Sequence, residues 1–342
     1  MLLAQSLTWS LASSLALLAP VLPLRVEAAT PPGLAATPVC AEPLGQTDTP
    51  PGPRLRRSVV HGVPVATVLP PGYASSGRDY PVVYLLHASQ GDEDSWIEYG
   101  GLLDDTAARP ARERAIVVMP RMGVITGLAV DWVDGYRRDA TFIGRTLVRW
   151  ADRTWRTQAD RRHRAIAGYS GGGLSAAHVA EEFPQVFGQL GVFSGPLDLR
   201  NPVGQPAAYA TFEAEKLCAG DDPLAAGPLG DPLTHAAAWA HADPLHRAAR
   251  LSDTFVWMTS GTGVPCNAQE ATAVLLSPAA ATEPQMRAQT EAFSAALTAA
   301  RVRHVDARRP CGLHWWTTWR PALNRFWDLA SARWAREGRS RP

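Results

Sequence analysis

The sequence is poor in several features that mark particular protein classes. Its 342 residues include a single lysine, Lys216, and carry a formal net charge of +1. So balanced a charge does not favour a polyanionic partner, and we expect no nucleic-acid binding. The four cysteines include no C-x-x-C pair, the spacing typical of metal sites. We therefore expect neither a metal nor a cofactor.

The N-terminal region lacks an unbroken apolar run. Residues 2–24 are mostly Leu, Ala and Ser, interrupted by polar residues and two prolines, and small residues at 26–29 offer cleavage sites. This pattern predicts a signal peptide over 1–29 and a secreted or cell-envelope-associated protein. Residues 1–24 contain no Lys or Arg, unlike the usual signal, and an uncleaved membrane anchor is the alternative.

Beyond that region, the chain is predicted to form one domain. Residues 30–57 are rich in Pro and Thr and read as a flexible leader, and 58–342 read as the folded domain. Predicted strands and helices alternate in 58–342, which indicates a mostly parallel sheet with helices on both faces. The strands are predicted at 59–69, 80–86, 115–119, 164–167, 189–193, 254–259 and 303–307. The last two helices are predicted at 282–300 and 321–334. We expect a monomer, with the weakly periodic segment 196–250 covering the functional site.

Within residues 164–172, an apolar strand is followed directly by Gly168-Tyr169-Ser170-Gly171-Gly172. This is the G-x-S-x-G pattern of a nucleophile elbow, a tight strand-to-helix turn that exposes the serine hydroxyl. A run of small residues follows, typical of a helix that packs close beneath the turn. The pattern predicts Ser170 as the nucleophile and the α/β-hydrolase fold.

A serine nucleophile needs a base, and the base needs an orienting acid. In this fold the chain order is serine, acid, histidine. Late in the chain, His304 falls within a predicted strand and reads as structural. His314 follows the last strand, where the base belongs, so His314 is the predicted base.

The segment Gly312–Trp319 carries the pattern G-x-H-x-W-x-x-W. It resembles the corresponding segment of the secreted mycolyltransferases, the antigen 85 family, which belong to the esterase-D-like α/β hydrolases. The elbow and Phe193-Ser194-Gly195 are also similar to that group, and the resemblance covers about residues 58–334. It implies acyl transfer through a serine.

The resemblance also bears on the acid. It implies Glu283, which stands at the start of the penultimate predicted helix. Glu270, in the loop after the 254–259 strand, is the alternative because most other α/β hydrolases place their acid there. Glu291 reads as a solvated helix residue.

Two backbone N–H groups are expected to bind the oxyanion. One is that of Gly171, directly after the nucleophile. The resemblance implies Ser89 for the other, although the relatives carry glycine at the position of Ala88, which keeps Ala88 as an alternative. For substrate binding we name five residues expected near the site, of which His87 is also read as fixing its loop: His87, Trp96, Asp131, Trp132 and Trp316.

For the cysteines, three disulfide pairings are possible. We favour Cys266 with Cys311, since each follows a predicted strand near the same edge of the sheet. Cys40 would then pair with Cys218, and buried free thiols are the alternative.

Together these features predict a secreted serine acyltransferase or esterase. The substrate would be a small-molecule or glycolipid ester, and the acyl group would pass to an alcohol acceptor, as in the mycolyltransferases, or to water. The alternatives are an ester hydrolase that acts on polysaccharide or small acyl esters, and a non-catalytic envelope-binding protein.

Overall fold

A computed structural model describes residues 52–123, 125–268, 270–272 and 281–337. These residues form an eight-stranded sheet with the order β1-β2-β4-β3-β5-β6-β7-β8. Its strands are β1 Leu55–Val60, β2 Val63–Val68, β3 Val82–Leu86, β4 Ile116–Pro120, β5 Arg164–Tyr169, β6 Gln189–Phe193, β7 Phe255–Thr259 and β8 His304–Asp306. The β1–β2 and β2–β4 pairs are antiparallel, and the other five are parallel. The predicted mostly parallel sheet is confirmed.

Helices lie between the strands and after β8. They are α1 Tyr73–Ser76, α2 Ser95–Glu98, α3 Leu102–Ala108, α4 Asp139–Thr141, α5 Val148–Thr154, α6 Gly171–Glu182, α7 Gln205–Cys218, α8 Ala236–Ala242, α9 Pro244–Arg247, α10 Glu283–Ala299 and α11 Trp316–Glu337. A π-helical stretch, Phe142–Leu147, joins α4 to α5. Helices α7, α8 and α9 occupy the segment 196–250.

Alternate residues of the central strands enter two separate hydrophobic clusters. Tyr84 of β3 lies in the cluster that includes Val179 of α6, whereas Leu85 lies in the cluster that includes Trp327 of α11. Successive side chains of a strand point to opposite faces. The sheet is therefore covered by helices on both faces, as an α/β-hydrolase fold requires.

Two predicted boundaries are wrong. The strand expected over 59–69 is a hairpin, because His61 and Gly62 have positive φ values of 50° and 83° and turn the chain between β1 and β2. β1 begins at Leu55, within the segment 30–57 that was expected to be a leader. The signal peptide over 1–29, the rest of the leader up to residue 51, and Cys40 lie outside the described residues.

The last helix also differs from its prediction, since α11 begins at Trp316 and contains Pro321. A proline has no N–H to donate to the carbonyl four residues earlier. That carbonyl belongs to Thr317, and it accepts a hydrogen bond from Arg309 at 3.1 Å instead. None of the described helices combines the length and the apolar character that a membrane crossing needs.

The order of the sheet places a crevice at the carboxyl ends of β3 and β5. The chain goes from β3 to β4 on one side and returns to β5 on the other side of β3. Ligands of open α/β sheets bind where the strand order reverses in this way. Leu86 pairs with Gly168 at the end of this ladder, so the loop after β3 and the elbow after β5 leave the sheet side by side.

Candidate active site

Ser170 lies at the turn between β5 and α6 with φ 50° and ψ −127°. Such a backbone is strained for a residue with a Cβ, and it is characteristic of functional turns. The Ser170 N–H donates to the Phe193 carbonyl at 2.8 Å, which holds the turn. A Cβ on Gly168 would overlap the Gly172 backbone, and one on Gly172 would overlap the carbonyls of the β3 loop. The glycines are thus required by close packing.

His314 connects the serine to a carboxylate. Its Nε2 lies 2.8 Å from the Ser170 Oγ, and its Nδ1 lies 2.8 Å from Oε2 of Glu283. When Nδ1 carries the proton and donates to Glu283, Nε2 is free to accept the Ser170 hydroxyl proton. The structure brings the three residues that were predicted as a triad into one hydrogen-bonded chain.

The Glu283 carboxylate is fully buried and is bonded at both oxygens. Its Oε1 accepts from the Ser194 hydroxyl at 2.7 Å and from the backbone N–H of Gly261. These two donors orient the carboxylate so that Oε2 meets the histidine. Neither donor was predicted, although the position of Ser194 directly after β6 places it at the same edge of the sheet as Ser170.

The other two acidic candidates have different partners. Glu270 is buried, and its Oε2 accepts from the Cys266 N–H at 2.6 Å, within its own loop. Glu291 is about half exposed and pairs with Arg287 and Arg308. His304, as expected, contacts Ser294 and the Val302 carbonyl. In the structure, the acid that contacts His314 is Glu283.

The loop that carries His314 is tied to the loop after β7. A disulfide joins Cys266 to Cys311, as the sequence predicted. The N–H of Gly312 donates to the Val264 carbonyl at 2.7 Å, and the Gly263 N–H donates to the Gly312 carbonyl at 2.9 Å. These links fix the base three residues after the bridge. The predicted partner of Cys218, Cys40, lies outside the described residues, so that pairing stays a prediction.

The two expected oxyanion donors lie next to each other. Gly171 is the first residue of α6, whose first N–H groups have no acceptor within the helix. A Cβ built on Gly171 would stand 3.7 Å from the Ser89 nitrogen. Gly171 and Ser89 thus lie side by side next to Ser170, as the expected pair of oxyanion donors requires.

His87 fixes its own loop. Its Nε2 accepts from the Met122 N–H at 2.8 Å, and Nδ1 therefore carries the proton and donates to the Ala88 carbonyl, also at 2.8 Å. Burial lowers the pKa of His87 and favours this neutral form. Both ring nitrogens are used within the protein, so the expectation that His87 binds substrate is wrong, whereas its loop-fixing role is supported.

Three further substrate-binding expectations are also corrected. Trp96 is buried, donates to the Leu86 carbonyl at 3.2 Å and packs against Phe193, so it belongs to the core. Trp132 is buried in the cluster around Trp239. Asp131 accepts from the backbone N–H and the hydroxyl of Thr141 at the start of the long helical segment. A sequence pattern places these residues on loops but does not show which of them are covered.

Trp316 is the remaining predicted residue, and it lies in an aromatic cluster that reaches the histidine. Its ring centre is 5.4 Å from that of Trp319, which meets His314 edge-on at 4.9 Å. On its other side Trp316 stacks on Tyr99 at 5.7 Å. Tyr99 is 46% exposed and was not predicted. Within the described residues, no group of three or more His, Cys, Asp or Glu side chains is arranged to hold a metal ion.

Comparisons with known proteins agree with this geometry. The family model described as "Putative esterase" matches residues 58–327. An esterase of Mycobacterium tuberculosis (Esterase Rv1288) is 31% identical over 201 residues, which are 58% of this chain and 42% of that protein. The match thus spans less than half of that relative. An endo-1,4-beta-xylanase/feruloyl esterase of Xylanibacter ruminicola is 27% identical over 148 residues, 41% of this chain and 20% of that protein.

Two solved structures are similar in fold. A ferulic acid esterase superposes with a TM-score of 0.61 at 19% identity, over 82% of this chain and 97% of that chain. The Mycobacterium tuberculosis protein MPT51 (FbpC1) gives a TM-score of 0.61 at 20% identity, over 82% and 99% of the two chains. Because the matched family region, residues 58–327, includes Ser170, Glu283 and His314, the chain belongs to the esterase family of α/β hydrolases.

Proposed function

We propose that this protein hydrolyses carboxylic esters through an acyl-serine intermediate on Ser170. The observation that carries the proposal is the chain of two 2.8 Å hydrogen bonds from the Ser170 Oγ through His314 to Glu283. The strained Ser170 backbone supports it as well, because a binding protein has no need of a strained serine. The alternative of a non-catalytic envelope-binding protein is therefore less favoured.

In the proposed reaction His314 acts first as a base and then as an acid. Nε2 takes the Ser170 proton while Oγ attacks the ester carbonyl, and then gives that proton to the departing alcohol oxygen. The negative charge on the carbonyl oxygen is stabilised by the N–H groups of Gly171 and Ser89. Water then attacks the acyl-serine carbonyl with His314 again as the base, and His314 returns the proton to the Ser170 Oγ as the carboxylic acid is released. Glu283 stabilises the positive charge that His314 carries in each half.

A fluorophosphonate probe tests this proposal directly. The probe is expected to label the wild-type protein at Ser170, and a Ser170→Ala variant should neither be labelled nor release acid from aryl acetates. His304→Gln is a matched control, since His304 is a histidine in the last strand without contact to Ser170. Folded wild-type protein that resists the probe and cleaves no ester would overturn the proposal.

We further propose that the site favours esters with an aromatic acyl group or a sugar alcohol. The exposed ring of Tyr99 and the partly buried ring of Trp316, which stacks on it, support this proposal, and the buried Trp319 connects them to the edge of His314. Flat rings bind sugar faces and aromatic groups. The names of the Xylanibacter ruminicola relative and of one fold neighbour, both of which include feruloyl or ferulic acid esterase, are consistent with it.

Tyr99→Ala tests the role of this surface. The variant should raise KM for methyl ferulate about 2- to 13-fold, because an offset aromatic pair contributes about 0.5–1.5 kcal/mol. KM for ethyl acetate should stay within about twofold, since its acyl group is too small to reach the cluster. An equal change for both esters would contradict the proposed preference.

Acyl transfer to an alcohol is the second candidate, favoured by the G-x-H-x-W-x-x-W segment and its resemblance to the mycolyltransferases. The acyl-enzyme is common to both reactions, and the acceptor decides the product. Product analysis with an acyl donor and a large excess of glycerol or trehalose separates them. A new ester would support transfer, and free acid alone would support hydrolysis.

We also propose that the protein is exported, to the exterior or to the cell envelope. The apolar N-terminal residues support this, and so does the Cys266–Cys311 disulfide, since such bonds persist in oxidising compartments. Fractionation of cells that express the full chain tests it. Recovery of the protein from the cytoplasm, with both cysteines open to alkylation, would contradict export.

A further inference from the structure

Glu215 of helix α7 is a buried carboxylate that the proposed reaction does not use. It is 1% exposed. Its Oε2 accepts two backbone hydrogen bonds, from the Ile125 N–H at 2.6 Å and from the Thr126 N–H at 2.8 Å. A buried charge is costly unless it is bonded in this way, and bonds to a charged acceptor are the stronger ones. Glu215 thus joins helix α7 to the loop that contains residues 125 and 126.

That loop in turn holds the predicted oxyanion loop after β3. The Ile125 carbonyl accepts from the Gln90 N–H at 2.7 Å, and the Thr126 carbonyl accepts from the Ser89 hydroxyl at 3.1 Å. Gln90 has φ 60°, a conformation that a non-glycine residue keeps only when its surroundings enforce it. The two residues whose N–H groups bind Glu215 therefore also fix, through their carbonyls, the conformation around the Ser89 N–H.

The charge of Glu215 is compensated from the opposite side. Its Oε1 lies 3.8 Å from Nη1 of Arg137, which also pairs with Asp139 through Nε at 3.0 Å. The guanidinium faces one oxygen and the two peptide N–H groups face the other. An amide at position 215 would keep one acceptor oxygen but would present N–H donors to the guanidinium. A carboxylate therefore fits this place better than its amide.

We infer that Glu215 is a positioning residue for the oxyanion hole. It acts through Ile125 and Thr126 on Ser89, and it makes the geometry of the hole depend on helix α7. This inference rests on the proposed function. It adds that the segment 196–250, which contains α7, contributes to stabilisation of the transition state.

The experiment compares Glu215→Ala and Glu215→Gln with Glu213→Ala. Glu213 lies on the same helix, and its described partner is Lys216, a buried residue whose Nζ also donates to the Ala225 carbonyl, so this control alters α7 without removing a bond to the loop. Two inhibitors report on the hole: an aryl trifluoromethyl ketone, whose adduct with Ser170 carries an oxyanion, and the matching methyl ketone as a measure of ground-state binding. Melting temperatures show whether each variant is folded.

Glu215→Ala is expected to lose about 10- to 100-fold in kcat and a similar factor in affinity for the trifluoromethyl ketone, somewhat less than removal of an oxyanion donor itself. KM and methyl ketone affinity should change by less than about threefold. Glu215→Gln should fall between the alanine variant and the wild type, and Glu213→Ala should match the wild type. A purely structural role would lower the melting temperature and leave the ratio of the two ketone affinities unchanged.

Failure of this inference can be told from failure of the proposed function. If the wild type is labelled at Ser170 and turns over esters, but both Glu215 variants keep the wild-type ratio of ketone affinities, the inference is wrong and the function stands. If the wild type is neither labelled nor active, the proposed function itself fails. Should Glu215→Ala not fold, the same ratio measured for Glu215→Gln decides.

Discussion

At the scale of single residues, the structure adds most to the assignment of the acid in the Ser170–His314 triad. The chain order of the motif admits several glutamates after Ser170, and only a resemblance indicated Glu283. The structure adds a physical reason, because Ser194 and Gly261 donate to one carboxylate oxygen and His314 meets the other. The histidine can then hold only one orientation.

Glu283→Gln is expected to lower kcat by about 10³- to 10⁴-fold, as the loss of an orienting acid does in other triads. The amide cannot stabilise the imidazolium that forms on His314, and its N–H group can turn the ring toward the wrong tautomer. Ester turnover of the purified variant, with a melting curve to confirm folding, measures this.

Glu270→Gln is the matched control, since it keeps an oxygen that can accept from the Cys266 N–H. Its kcat should stay within about tenfold of the wild type. Strong inactivation by this change, together with an active Glu283→Gln variant, would assign the acid to Glu270.

At the scale of elements, the loops after β7 and β8 act as one unit. The Cys266–Cys311 disulfide closes a separation of 45 residues, and the backbone bonds between Gly263, Val264 and Gly312 lie beside it. The donor to Glu283 at Gly261 and the base at His314 belong to these two loops. The disulfide therefore links the loop that carries His314 to the loop whose Gly261 N–H orients Glu283.

The variant Cys266→Ala/Cys311→Ala should lose about 2–4 kcal/mol in free energy of unfolding, the usual effect of removing a bridge of this span. We also expect kcat to fall about 10-fold, because His314 is no longer held from both sides. Denaturant unfolding and ester turnover are the measurements. A variant with unchanged kcat would show that the backbone bonds alone position the base.

An element could be predicted from the sequence when the residues that determine it are adjacent in the chain. The elbow at Ser170 and the strand before it follow from adjacent residues, and both are found in the structure. The hairpin at His61–Gly62 was missed, because the alternation of apolar residues continues through the turn. The start of α11 at Trp316 was missed because Pro321 normally marks a helix start, whereas here Arg309 occupies the carbonyl that the proline leaves free.

The parts of the site that depend on contacts between distant residues could not be predicted from the sequence. Burial decides whether an aromatic residue on a loop can meet a substrate, and Trp96 and Trp132 are covered by elements distant in the chain. Ser194 and Glu215 act through partners 89 and 90 residues away. A pattern in one sequence does not contain such pairings.

At the scale of the whole molecule, buried histidines make stability depend on pH. His178 of α6 is 2% exposed, and burial lowers its pKa to about 3. In the unfolded chain it titrates near its ordinary value of about 6.5. Its contribution is therefore complete above about pH 6.5 and is lost as the pH falls toward 3, by about 2 kcal/mol at pH 5.

Comparison with His178→Gln isolates this effect from other groups. Asp139 has the opposite dependence, since burial raises its pKa to about 6 and its contribution is lost as the pH rises from about 4 to 6. Urea unfolding at pH 7.5 and pH 5.0 should show the wild type losing about 2 kcal/mol more than the variant. Equal losses would indicate that His178 takes up a proton while the protein is folded.

The pairing of Leu86 with Gly168 has a consequence for how such a protein can change. The nucleophile elbow and the oxyanion loop leave neighbouring strands at the same height in the sheet. The pairing of these two strands therefore sets the distance between the Ser170 hydroxyl and the oxyanion donors. Residues 196–250 lie between β6 and β7 in the chain and take no part in the pairing of β3 with β5. Exchanging this segment for that of a relative, with an acid at position 215 retained, offers a route to new ester selectivity on an unchanged chemical centre.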